Sequence, residues 1–264
     1  MRRRWRGPIR PDAVLKVGGS LCARPRDLGR LMGALRALAS THTLVVVPGG
    51  GRFADEVRRA DRRFRLDSST SHWMAILGMD QTAHLLAYVA GGAPLVHEPG
   101  EIRPRRLNVL APSRWLRRAD PLPHSWSVTS DSIAAWVAGA LRARQLVLLK
   151  DVDGVLDRDR RDSRDRGGDA RPRGRVSRRQ VRSIVDPYFA EALGRDQRCW
   201  IINGWRPERL TRLLLTGSTY GTEVTLPRPT RSGRRPRHAG SERARPLDPP
   251  GPARARGRLR KPLP

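Results

Sequence analysis

The sequence predicts an α/β fold, a three-layer αβα sandwich on an open, mainly parallel sheet. Three observations predict it. Short β-branched apolar runs alternate with segments of helical apolar spacing. The runs are continuous rather than alternating, as in strands buried on both faces. Glycine clusters directly follow two of them.

Ala13–Val17 (AVLKV) reads as the first strand, closed by Gly18-Gly19-Ser20. Leu28, Leu31, Met32, Leu35 and Leu38 repeat at helical spacing. Thr43–Val47 (TLVVV) is the cleanest strand, and Pro48-Gly49-Gly50-Gly51 ends it. Helices are predicted over Phe53–Arg63 and Ser71–Val89, and short strands over Pro94–His97 and Leu107–Leu110. A further helix is expected over Asp131–Leu141, with Thr129, Ser130 or Asp131 near its N-terminus. Gln145–Leu149 (QLVLL) is a strand that runs into Lys150-Asp151-Val152-Asp153-Gly154. Arg198–Ile202, Pro207–Leu215 and Gly221–Leu226 read as strand, helix and last strand.

Charge marks out the domain organisation. The chain of 264 residues carries a formal charge of +28, most of it outside the apolar segments. Residues 1–10 hold five arginines and no acid, 157–182 carry +6 and 228–264 carry +10, which leaves +7 for the rest. The expectation is a disordered basic N-terminus over 1–11, one folded domain over 12–226 interrupted by an Arg-rich loop at 157–180, and a disordered basic tail over 227–264. The tail lacks interleaved aromatics and any nucleic-acid motif, so nonspecific polyanion binding is its expected limit. MRRRWRGPIRPD has no apolar stretch of a secretory signal, and no run approaches 18 apolar residues. A cytoplasmic protein with no membrane partner is expected. Cys22 and Cys199 fit neither metal spacing nor a disulfide framework.

Lysine is scarce: of 53 basic residues only Lys16, Lys150 and Lys261 are Lys. Two of the three close predicted buried strands. An ammonium is a compact point charge and a guanidinium a wide planar fork, so a site that sets one small cation against one oxygen retains Lys. The glycine clusters let backbone N–H groups approach an anion beyond the carboxyl ends of strands. Neither cluster matches a Walker A loop or G-x-G-x-x-G. Asp131 reads either as part of an ordinary helix cap or as a carboxylate facing the reacting phosphates.

VLKVGGSL (Val14–Leu21), VVVPGGG (Val45–Gly51), VTSD (Val128–Asp131) and LLKDVDGV (Leu148–Val155) occur in the order seen in the amino acid kinase superfamily, which the chain resembles over about residues 12–226. That superfamily includes acetylglutamate, glutamate, aspartate, uridylate and isopentenyl phosphate kinases. The resemblance implies ATP and Mg²⁺, and a small-molecule phosphate acceptor. By it, Lys16 stabilises the transferring phosphoryl group and Asp131 organises the catalytic lysines or holds Mg²⁺. Gly18, Gly19, Lys150, Asp151, Asp153 and Gly154 belong to the ATP site. Gly49, Gly50 and Gly51 bind the acceptor, with Arg52, His72 and His124 supplying donors and cations. A homo-oligomer is compatible with it. One departure stands out: many members carry a second catalytic lysine in a Gly-x-Met-x-x-Lys-like stretch, and residues 157–185 hold no Lys. Either Arg takes that role, or Lys150 does, or the enzyme uses one fewer cation; a catalytically silent member stays open as well.

His72–Ala87, Leu122–Ala138, Val185–Ala190 and Cys199–Leu210 further resemble the subgroup of methanofuran biosynthesis, whose kinase extends aminomethyl-furanyl-methyl phosphate to a diphosphate. Trp73 and Trp126 could then stack on a flat ring, although a helical Trp73 is more often core. An amino-acid kinase or a UMP kinase of the same superfamily is the alternative.

Overall fold

The computed structural model describes residues 9–155, 175–177, 182 and 184–225. The expectations for residues 1–8, the tail and most of the Arg-rich loop lie outside these residues; Ile9 packs against the core and Arg10 Nε donates to the Arg142 carbonyl.

Eight strands form one sheet among the described residues: β1 (Ala13–Val17), β2 (Leu44–Pro48), β3 (Leu95–Val96), β4 (Leu107–Leu110), β5 (Gln145–Lys150), β6 (Arg175–Ser177), β7 (Arg198–Asn203) and β8 (Thr222–Thr225). Their spatial order is β3-β4-β2-β1-β5-β7-β8-β6. All pairings are parallel except β7 with β8. β1, β2 and β4 are buried at every position, which is why apolar residues fill them apart from Lys16 and Asn108.

Among the described residues seven α-helices accompany the sheet: α1 (Pro25–Leu38), α2 (Gly51–Phe64), α3 (Ser68–Val89), α4 (Ser113–Ala119), α5 (Ser130–Ala140), α6 (Phe189–Ala192) and α7 (Pro207–Thr216). Alternate strand residues feed two cores. Val14, Val45, Leu146 and Leu148 pack with α5, while Leu15, Val46, Val147 and Leu149 pack with α1 and α7. This is the three-layer arrangement the sequence predicts. α3 shows no single apolar stripe because Ile76 and Met79 join the first core and Ala83 and Leu86 the second, while Gln81 and His84 stay exposed.

Three differences from the sequence reading have local causes. The short helices α4 and α6 are too brief to display a period. α4 depends on Asp80 of α3, which accepts from the Ser113 backbone N–H at 3.1 Å and from its hydroxyl. β6 falls inside the segment read as loop, and only its pairing with distant β8 makes it a strand.

The topology creates one privileged place. From β1 the chain crosses to β2 on one side, and β5 later joins on the other. Ligands in open α/β sheets bind at such a switch point, beyond the carboxyl ends of the strands. The carboxyl ends of β1, β2 and β5 carry Lys16, the Gly49–Gly51 cluster and Lys150.

Candidate active site

Lys16 and Lys150 converge on one carboxylate. Lys16 Nζ lies 2.9 Å from Asp131 Oδ1, and Lys150 Nζ donates to Asp131 Oδ2 at 2.5 Å. Lys16 is 6% exposed and Asp131 3%. Burial opposes ionisation of Asp131, but the two ammonium groups outweigh it and hold the carboxyl below its usual range. Burial and then the neighbouring Lys16 push the Lys150 ammonium below its ordinary range, with Asp131 pulling the other way. Two cations thus face one anion in a buried centre, an arrangement that favours a further anion.

Asp131 is free to hold both lysines because another residue caps its helix. Asp186 Oδ2 accepts from the backbone N–H of Thr129 and of Ser132, each at 3.0 Å, and from the Thr129 hydroxyl at 2.8 Å. The Ser132 hydroxyl bonds to Asp186 Oδ1. Sequence reasoning missed Asp186. An Asp-Pro step 56 residues after the helix start gives no cap signal, because N-cap rules read only neighbours in sequence.

The two glycine clusters touch. A Cβ on Gly19 would sit 2.4 Å from Gly51 Cα, and one on Gly49 would sit 2.7 Å from the Gly19 nitrogen. Gly51 adopts φ +54°, which an L side chain resists. The Gly18 N–H is already spent on the Leu149 carbonyl and the Gly49 N–H on that of Val17. The amides left for an anion are those of Gly19 and of the α2 N-terminus, which no side chain caps.

The remaining predicted residues divide. Asp153 accepts from Asn203 Nδ2 at 2.9 Å and pairs with Arg209; burial works against its ionisation, but these donors hold it below its usual range. It braces the strand-end loop, beside exposed Asp151 and buried Gly154. Lys150 is no surface residue of a turn, since its side chain is 15% exposed. As a direct magnesium ligand Asp131 does not fit: each of its oxygens faces an ammonium. Among the described residues no three His, Cys, Asp or Glu side chains cluster to hold a metal.

Beside the charged centre lies a cavity of about 860 Å³, walled by Gly49–Gly51, Arg52, Ser71, His72, Trp126 and the apolar Ile76, Met79 and Ile133. Arg52 is exposed on its wall. Ser71 is 2% exposed, and its hydroxyl has no partner among the described residues; the sequence offered no sign of it. His72 lines the cavity and stacks on His124 at 4.4 Å between centroids. Burial, and then His124, lower the His72 pKa to about 4, with Asp120 opposing, so at neutral pH His72 offers a dipole and not a cation. His124 sits behind it, bonded to Asp120 and Ser69 at 2.9 and 2.8 Å. Trp73 packs against the core and under Arg117, while Trp126 faces the cavity.

An open parallel sheet with paired lysines on a buried aspartate and a Gly-lined anion pocket at its switch point defines a phosphoryl-transfer α/β protein. The chain belongs to the amino acid kinase family, whose family model matches residues 13–183. It is 30% identical over 213 residues to the [5-(aminomethyl)furan-3-yl]methyl phosphate kinase of Methanocaldococcus jannaschii, covering 76% of this chain and 92% of that one. It is 32% identical over 152 residues to a uridylate kinase of Methanosarcina barkeri, covering 55% of this chain and 62% of the relative. Among solved structures, uridylate kinase from Archaeoglobus fulgidus matches with a TM-score of 0.61 at 20% identity, over 81% of this chain and all of that one. The UMP kinase from Ureaplasma parvum matches with a TM-score of 0.59 at 13% identity, over 82% and 99%. These structures share the fold. No described helix is long and apolar enough to cross a membrane.

Proposed function

We propose that this kinase uses ATP to convert a phosphate monoester to a diphosphate, on an acceptor of the (aminomethyl)furanyl-methyl phosphate kind, in the making of a methanofuran-type one-carbon cofactor. The observation that carries the reading is the buried Lys16–Asp131–Lys150 centre beside a cavity that is apolar inside and has glycine amides at one end. The likeness to the Methanocaldococcus jannaschii enzyme over most of both chains supports the choice of acceptor.

An acceptor phosphate oxygen attacks the γ-phosphorus of ATP, the bond from that phosphorus to the bridging oxygen breaks, and ADP leaves. The acceptor is already anionic at neutral pH and needs no strong base. Lys16 and Lys150 neutralise charge that spreads over the phosphoryl oxygens, and Asp131 holds the two ammoniums at fixed separation. Lys150 thereby fills the role of the second lysine missing from residues 157–185. Gly18, Gly19, Asp151, Asp153 and Gly154 form the floor of the nucleotide site, with Asp153 acting through its brace to Arg209. Gly49–Gly51 and Arg52 take the acceptor phosphate, Ser71 a polar atom of its body, and Trp126 a flat face. Magnesium brought in with ATP would supply further charge neutralisation, with no direct ligand assigned among the described residues.

The test is ATP turnover against (aminomethyl)furanyl-methyl phosphate, UMP, isopentenyl phosphate and acetylglutamate. The furan phosphate should give the highest kcat/KM by at least tenfold. Preference for UMP or for acetylglutamate would replace this acceptor with a nucleotide or an amino acid. No turnover of any would leave a silent member of the family.

A further inference from the structure

The acceptor cavity runs along one stripe of α2. Asp55, Arg58 and Asp61 line it at i, i+3 spacing, with Gly51 one turn before Asp55 and Arg52 at that same end of the helix. With 1.5 Å of rise per residue, Asp61 stands about 15 Å along the axis from Gly51. The glycine amides and Arg52 therefore mark one end of the wall and Asp61 the other.

Asp61 is the odd carboxylate of this helix. α2 is crowded with arginines, and its other acids use them: Asp55 pairs with Arg58 at 2.9 Å, and Glu56 pairs with Arg59. Asp61 has no cation among the described residues. Its Oδ2 accepts the indole Nε1–H of Trp126 at 2.6 Å. Arg58, the cation within reach, lies over the Trp126 ring at 4.7 Å from its centroid. Trp126 thus diverts both groups. It fixes the Asp61 carboxylate with a neutral donor and leaves its negative charge unpaired on the cavity wall.

An uncompensated carboxylate beside an aromatic face, half-buried and opposite an anion-binding end, suits a cationic group on a flat ligand. We infer that Asp61 is a specificity-determining residue that binds the protonated primary amine of the acceptor, with Trp126 as the positioning residue that aims it. The inference rests on the phosphate-monoester reading above. What it adds is the protein group that reads the ammonium end of that acceptor, opposite the glycine amides that face its phosphate. An alkylamine is protonated at neutral pH, as lysine is, so the contact is a charge-assisted hydrogen bond.

The experiment compares kcat/KM for [5-(aminomethyl)furan-3-yl]methyl phosphate with that for (5-methylfuran-3-yl)methyl phosphate, in the native protein and in Asp61→Asn. The Asn side chain keeps an oxygen for the indole N–H. The native enzyme should prefer the amine by roughly 10- to 100-fold. Asp61→Asn should reduce that ratio to within about threefold, chiefly through KM. The native preference should also decay as pH rises past the amine's own pKa, which a structural role for Asp61 would not produce. A native enzyme that turns over both compounds equally, or a ratio unmoved in Asp61→Asn, overturns the inference while leaving the monoester reading standing. Turnover of neither compound, with UMP accepted, overturns both.

Discussion

The two sides of the switch point handle polar groups in opposite ways. In the charged centre every group meets a protein partner: both lysines reach Asp131, and Asp186 serves four donors at the head of α5. On the cavity wall, among the described residues, the Ser71 hydroxyl has no partner and Asp61 has no cation. The difference follows from what each side must do. Charges that act on a transition state gain most when they are held in place beforehand, since none must reorganise during the reaction. Groups that recognise a ligand must keep their bonding capacity for it.

Substitutions can break or sharpen this contrast. The largest effect is expected from Lys16→Arg. The charge remains but spreads over a plane and moves outward, so kcat should fall roughly 100- to 1,000-fold, or about 3–4 kcal/mol, while ATP binding weakens far less. Near-normal kcat in a folded variant would remove Lys16 from the chemistry. Next comes Asp186→Ala, which orphans buried donors of Thr129 and Ser132. A loss of about 2–3 kcal/mol is expected, seen as a drop in melting temperature of roughly 4–12 °C. An unchanged melt would mean that water replaces the carboxylate.

Ser71→Ala should behave in the opposite sense. Removing a buried hydroxyl without a partner costs nothing and can stabilise by about 1 kcal/mol, yet the acceptor KM should rise. Calorimetric melting and steady-state kinetics on one preparation separate the two effects. A destabilised Ser71→Ala would show that the hydroxyl has a structural partner after all. The smallest effect concerns His72. Its pKa is about 4 in the fold against 6.5 ordinarily, so the unfolded chain takes up the proton first as pH falls. Its contribution to stability is present above pH 6.5 and is lost between 6.5 and 4. In His72→Gln the decline of the melting temperature across that window should be shallower; an identical decline would place the titration elsewhere.

Most of the framework was legible along the chain. The strands expected at Ala13–Val17, Leu107–Leu110 and Gln145–Leu149 announce themselves because burial on both faces demands mostly apolar runs. α1 and α7 show their period because each packs one face on one core. α3 does not, because it serves both cores. Lys16, Asp131 and Lys150 could be singled out by rarity, by strand ends and by motif order. Asp186, Asp61 and Ser71 could not. Their meaning depends on partners they have or lack across the fold: Asp186 on a helix 54 residues away, and Asp61 on Trp126, 65 residues on.

By itself, then, the sequence determined the layers, the order of the elements and which residues would stand at the carboxyl ends of β1, β2 and β5, because those follow from periodicity and from where apolar runs stop. Only the tertiary structure decided which carboxylate caps, which one gathers the lysines and which is left unpaired. Each of these depends on the position of a partner distant in sequence, and local patterns carry no record of it.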